Sequence, residues 1–290
     1  MQAASASRGR DVGTLASPGS GHYPRPVADL DGKWRRLRRE WAYLRGYLNF
    51  DRTGNAIVRR TDFRQCPRPV LMLYGHMATR RVFEVLEHRL RRDGYCVWSI
   101  NLGGMFDAYN TLGIDQCAEK VREKVERLYA RYELGPLSII GHSKGGLIGR
   151  YYVKRLGGEK RVRNLITLGS PHNGTPTAYL GVCTVGLVAR DVWQMTPMSP
   201  FIRRLKMGPF PREVRFTSIY SKADRVSVYP SAVLEANQEN LRNIEVEGVT
   251  HREYLWKRHV YRIIRRELAL GYGDELRPTL ESIPLPVNLK

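Results

Sequence analysis

From residue 70 onward the apolar positions follow two periods in alternation. Short, nearly continuous apolar runs at 70–74, 95–101, 137–141, 162–168, 214–221 and 243–249 predict strands buried on both faces. Between them apolar residues recur at spacings of three and four, as in Val82, Phe83, Leu86 and Leu90, or Ile114, Cys117, Val121, Val125 and Leu128. These predict helices with one buried face. Asp93-Gly94, Gly135-Pro136 and Gly157-Gly158 punctuate the series where turns are needed. A last helix is expected over 252–268, with Tyr254, Leu255, Val260, Ile263, Ile264 and Leu268 inward. Strand and helix in alternation imply right-handed crossovers and an α/β architecture: a mostly parallel central sheet flanked by helices.

Two stretches break that rhythm. Over 178–189 the chain is apolar without a clear period, and Trp193, Met195 and Met198 follow among prolines, so an apolar cap or lid is expected over about 175–211. Before the sheet, Trp34, Leu37, Trp41, Leu44 and Leu48 mark one face of a helix over 33–50, and Arg35, Arg36, Arg38, Arg39 and Arg45 cover much of the rest. Such a stripe suits docking on the body of the protein or peripheral contact with an anionic membrane surface. The expected organisation is a basic disordered tail over 1–31, a basic amphipathic helical extension over 32–66, the α/β domain over 67–269 and a second tail over 270–290.

Composition changes this picture little. A chain of 290 residues with 42% hydrophobic residues can bury one large core, and it has no apolar run of membrane-spanning length. The first residues lack the continuous apolar segment of a secretory signal. Forty-eight Lys and Arg against 28 Asp and Glu give a net charge of +20, which favours anionic surfaces. Those charges are dispersed, with no nucleic-acid-binding module, so nucleic acid is not an expected partner. Cys66, Cys96, Cys117 and Cys183 are far apart in sequence and show neither a zinc spacing nor a disulfide framework. Free thiols, a reducing compartment and a cytoplasmic location, peripheral at most to the inner membrane face, are the expectation.

The candidate chemistry begins at LSIIGHSKGG, where a strand ending at Gly141 meets a helix opening at Gly145. Ser143 sits on the bend between them. This is the G-x-S-x-G nucleophile elbow, in which small residues on either side relieve the crowding of a sharp turn that lifts the hydroxyl to the sheet's top edge. A serine nucleophile needs a base, and the base needs a carboxylate to orient it. Asp224 and His251 each follow an expected strand, at the same end of the sheet as Ser143. Of the seven histidines, His251 alone lies after that acid in a strand-to-helix loop. The order Ser143, Asp224, His251 makes these the candidate catalytic residues, and replacement of Asp224 is expected to cost far more than that of Asp191 or Asp115.

The segments LMLYGHM, GHSKGG, LITLGSPHNGTP, QMTPMSPF, SIYSKADRVSVYP and EGVTHREYL, in this order over about 68–268, resemble the bacterial lipase and esterase branch of the α/β-hydrolase superfamily. The resemblance implies an α/β-hydrolase fold and a serine hydrolase acting on carboxylic esters of acyl-chain, lipid-like substrates. It implies the same triad, no cofactor, and an oxyanion hole formed by the backbone N–H groups of His76 and Lys144. Tyr74-Gly75 stands where the family usually has His-Gly, and a charged lysine follows the nucleophile; its side chain is expected to point to solvent. Some secreted members bind calcium near the catalytic histidine, but Glu253 is the sole carboxylate beside His251, so no metal is expected. An acyltransferase using the same triad, or a catalytically idle fold on anionic membranes, are the alternatives.

Overall fold

A computed structural model describes residues 61–105, 109–186, 189–235 and 238–273. The chain divides into units 1–50 and 51–290, and the described residues all belong to the second. The expected tail 1–31, the amphipathic helix 33–50 and nearly all of the tail 270–290 lie outside the described residues.

Six strands form one sheet: β1 (Pro69–Leu73), β2 (Cys96–Ser99), β3 (Leu137–His142), β4 (Val162–Leu168), β5 (Arg215–Tyr220) and β6 (Leu241–Glu245). Their spatial order is β2-β1-β3-β4-β5-β6, and every neighbouring pair is parallel. Strands β1 and β3 are buried throughout, as expected of central strands covered on both faces. The helices that flank the sheet are α1 (Glu84–Arg92), α2 (Ile114–Arg131), α3 (Lys144–Arg155) and, after the excursion, α7 (Arg258–Tyr272). On α2 the buried residues include Ile114, Cys117, Val121, Val125 and Leu128, the face read from periodicity.

The outermost elements depart from the expectation. Strand β6 ends at Glu245, before the expected end at residue 249, and its residues are only half-buried because it closes the sheet on one side. The closing helix begins at Arg258, after a single tight turn over Glu253–Leu255, and continues to Tyr272, whose hydroxyl donates to the Pro69 carbonyl at 2.5 Å. Between β4 and β5 the apolar excursion folds as three short helices, α4 (Thr177–Val185), α5 (Arg190–Gln194) and α6 (Pro200–Lys206). Ser199 caps α6, its hydroxyl accepting from the Ile202 N–H at 3.1 Å.

The cysteine reading is corrected. Cys66 and Cys96 form a disulfide, with Cα atoms 5.3 Å apart, inside the range such a bridge requires. Parallel pairing of β1 with β2 sets Pro69 opposite Cys96, and the chain entering β1 passes that point. Residues 30 apart in sequence thus become neighbours only through strand register. Disulfides persist in oxidising surroundings, so the ground for expecting a reducing compartment is gone. Cys117 is free and buried, and Cys183 is free and exposed. Among the described residues no helix is long and apolar enough to cross a membrane.

Candidate active site

Strand β3 leads directly into helix α3 through Ser143, which takes φ 56° and ψ −128°. A positive φ at a residue with a side chain costs about 1–3 kcal/mol and persists only where the surroundings enforce it. Here the Ser143 N–H donates to the Leu168 carbonyl at 3.0 Å, and its carbonyl accepts from the Gly146 N–H at 3.0 Å. The elbow glycines make the turn sterically feasible. A methyl group at Gly141 would lie 2.5 Å from the Gly146 backbone, and one at Gly145 would run into the Leu73 carbonyl of β1. Because that obstacle is central-strand backbone, Gly145→Ala is expected to destabilise the fold by about 3 kcal/mol or more. A fall in Tm of at least about 6 °C in thermal denaturation would show it.

His251 and Asp224 come together as a pair. Asp224, in the loop after β5, is 2% exposed, and its Oδ1 accepts from the N–H groups of Val226 at 2.8 Å and Ser227 at 3.0 Å. Its Oδ2 lies 2.8 Å from His251 Nδ1. With Nδ1–H donating to the carboxylate, Nε2 is the basic nitrogen of the neutral ring. Gly169, which follows the Leu168 that holds Ser143, lies beneath this pair: a methyl group there would sit 2.7 Å from Asp224 Oδ2 and 3.3 Å from His251 Nδ1. Adjacent positions at the end of β4 therefore bond the serine and lie close against the histidine–carboxylate pair.

His142 supports His251 from the elbow. Its Nε2–H donates to the His251 carbonyl at 2.7 Å, and the two rings are 4.8 Å apart. Burial, reinforced by the positive charge of a protonated His251, pushes the His142 pKa down to about 3. His172, buried against Thr167 at 2.9 Å, is likewise pushed well below its ordinary value by burial. Both must be neutral in the fold, yet each takes up a proton when unfolded below about pH 6.5. Their contribution to stability is therefore complete above that pH and is lost progressively as pH falls below it, toward about 3 for His142, at up to about 1.4 kcal/mol per pH unit for each histidine. Melting curves at pH 7.5, 6 and 5 should show Tm falling only below about 6.5, and His142→Gln should flatten that slope.

The loop after β1 carries the other expected donor. Gly75 packs on the serine: a methyl group there would lie 2.8 Å from Ser143 Cβ and 3.3 Å from its Oγ. The next N–H but one, that of Met77, is occupied by the Asn110 carbonyl at 3.1 Å. Lys144 opens α3, so its own N–H belongs to the first turn, where helical backbone donors have no partner within the helix.

The expected solvent-facing side chain of Lys144 is corrected. It is fully buried, and its Nζ donates to Asn110 Oδ1 at 2.6 Å, to the Leu112 carbonyl at 2.6 Å and to Asp191 Oδ2 at 2.7 Å. An ammonium taken out of water needs these acceptors and an opposite charge. Asp191, read from sequence as a bland comparator for Asp224, is that charge, and it also lies 2.6 Å from His76 Nδ1. Asp115 too is engaged, accepting from Gln194 Nε2 at 2.8 Å. Only the placing of α5 beside the start of α3 reveals these partners. The one hint in sequence was a charged residue directly after the nucleophile. Among the described residues no group of three or more metal-ligating side chains forms.

An elbow of this kind on a parallel sheet flanked by helices defines the α/β-hydrolase fold. A family model, palmitoyl protein thioesterase, matches residues 69–227, more than half of the chain. The chain belongs to that family. The match takes in Ser143 and Asp224 and stops before His251. Solved structures share the fold at low identity. Aspergillus fumigatus lipase B is 18% identical with a TM-score of 0.59, over 77% of this chain; this chain spans 60% of that lipase's length. Bacillus licheniformis lipase BlEst2 in mature form is 15% identical with a TM-score of 0.53, covering 73% of this chain and 95% of its own. A structure from the thaumarchaeon Nitrososphaera gargenis, described with carboxylesterase activity profiles, is 15% identical with a TM-score of 0.55, over 74% and 93%.

Proposed function

We propose that this protein is a serine hydrolase that cleaves acyl oxyesters or thioesters through an acyl-enzyme. The observation that carries the reading is the elbow itself: a serine at positive φ, tied to the end of β4, where the next residue underlies the His251–Asp224 pair. In the proposed reaction Ser143 Oγ attacks the acyl carbonyl and its proton passes to His251 Nε2. Asp224 keeps the ring in the required tautomer and stabilises the imidazolium. The carbonyl oxygen becomes an oxyanion held by the backbone N–H groups of His76 and Lys144. Collapse of the intermediate expels an alcohol or thiol, which leaves with the proton from His251. Water, deprotonated by the same ring, then releases the acid and restores Ser143.

Family membership supports an acyl thioester as one substrate class. The apolar surroundings support an acyl chain: Tyr179, Leu180, Trp193 and Met198 stand exposed on the excursion, and Val226, Val228 and Tyr229 follow Asp224. The hydroxyls of Thr175 and Thr177 both donate to the Val226 carbonyl, at 2.8 and 2.6 Å, which joins these two groups at one side of the site. The decisive experiment offers matched S-acyl and O-acyl substrates of increasing chain length and follows the protein by intact mass. An adduct of one acyl group on Ser143, with a long-chain optimum, is the expected result. Hydrolysis without any such adduct, or labelling of another residue by a fluorophosphonate, would overturn the reading.

A further inference from the structure

Both residues whose backbone N–H groups are proposed to hold the oxyanion have their side chains gripped by one carboxylate. Asp191 Oδ2, from α5 of the excursion, receives Lys144 Nζ at 2.7 Å and His76 Nδ1 at 2.6 Å. The same ammonium also holds Asn110, a fully buried side chain. Asn110 in turn clamps the loop after β1 at both ends: its Nδ2 donates to the Tyr74 carbonyl at 3.0 Å, and its own carbonyl accepts the Met77 N–H at 3.1 Å. Met77 sits at φ 50°, a conformation that needs such restraint. The contacts close a ring, from Lys144 through Asp191, His76, Met77 and Asn110 back to Lys144, and the two donor residues are members of it.

A buried ion pair is a poor device for stability alone, because desolvating both charges offsets most of their attraction and apolar residues of similar volume do as well. Its directional bonds are suited to something else. Catalysis by an oxyanion hole depends on donors held to within a fraction of an ångström before the charge develops. We propose that Asp191 is a positioning residue for the oxyanion hole, fixing the His76 and Lys144 backbone donors relative to each other. This rests on the serine-hydrolase reading above. It follows that the hole is complete only while the excursion that carries Asp191 is seated against α3.

The test compares the full-length protein with Asp191→Asn and with the paired variant Lys144→Met plus Asp191→Leu, which removes both charges and keeps a filled interior. Each is measured for Tm, for active sites titrated with a fluorophosphonate, and for kcat and KM per titrated site on a p-nitrophenyl acyl ester. Binding of an alkyl boronic acid, a mimic of the tetrahedral intermediate, is measured alongside. The expected result is a loss of 10²–10³-fold in kcat, about the worth of one oxyanion donor, with KM changed less than about threefold. Boronate affinity should fall in parallel, and the paired variant should melt near the parent temperature. Either folded variant keeping kcat per site within about threefold of the parent would overturn the proposal, even if Tm or the number of active sites fell, since that is what a merely structural role gives. Should Asp191→Asn not fold, the paired variant decides. A parent protein that the fluorophosphonate does not label at Ser143 would instead sink the serine-hydrolase reading, and this proposal with it.

Discussion

Replacing Ser143 by alanine is expected to lower turnover of an acyl ester by about 10⁶-fold, the scale on which loss of a nucleophile acts in a triad enzyme. Alanine can occupy the same backbone, since the turn is enforced by the Leu168 carbonyl and the glycines around it rather than by the hydroxyl. Tm and the near-ultraviolet circular dichroism should therefore stay close to those of the parent. Substrate should still bind, because the apolar surroundings and the backbone donors remain, and a residual rate of about 10³–10⁴-fold over water is expected from them. Steady-state hydrolysis of p-nitrophenyl esters measures the loss. A folded variant retaining more than about one per cent of parental turnover would remove Ser143 from the reaction.

Asp224→Asn should cost about 10⁴-fold in kcat with little effect on KM. The reason lies in the two oxygens of this carboxylate. One accepts the N–H groups of Val226 and Ser227, and an asparagine carbonyl oxygen can continue to do so. The amide NH₂ then faces His251 Nδ1, where the carboxylate had accepted a hydrogen bond. Two donors cannot share that contact, so the ring turns to the tautomer with its proton on Nε2, the nitrogen that must take the proton of Ser143. Glu119→Gln is the fitting comparison, because that exposed carboxylate pairs with Arg122 on the helix surface. Its kcat should be unchanged; equal losses in the two variants would show that Asp224 is not the orienting acid.

The readable and the unreadable parts of this molecule differ in range. The sheet strands and their covering helices were legible from apolar periodicity, because a strand buried on both faces and a helix buried on one impose their pattern on a few consecutive residues. The elbow was legible for the same reason: the crowding that Gly141 and Gly145 relieve arises within one turn of chain and the strand beside it. The triad candidates needed only that loops after parallel strands meet at one end of the sheet, which the alternation of elements already implies.

What escaped is set by contacts between segments distant in sequence. Cys66 and Cys96 looked like unrelated thiols until the register of β1 on β2 set them 5.3 Å apart. Lys144 looked like a surface residue because nothing within its own helix could neutralise it. Its acceptors come from residues 110 and 112, before α2, and from Asp191 in the excursion. By itself, then, the sequence determined the α/β layering, the sharp turn at Ser143 and the order of the candidate triad, all consequences of local sterics and of the direction of parallel strands. The tertiary structure alone decided that α5 lies against the start of α3, and so that a lysine beside the nucleophile is buried, paired and joined to His76 through one carboxylate, since burial of a charge depends on partners that only the folded arrangement brings within reach.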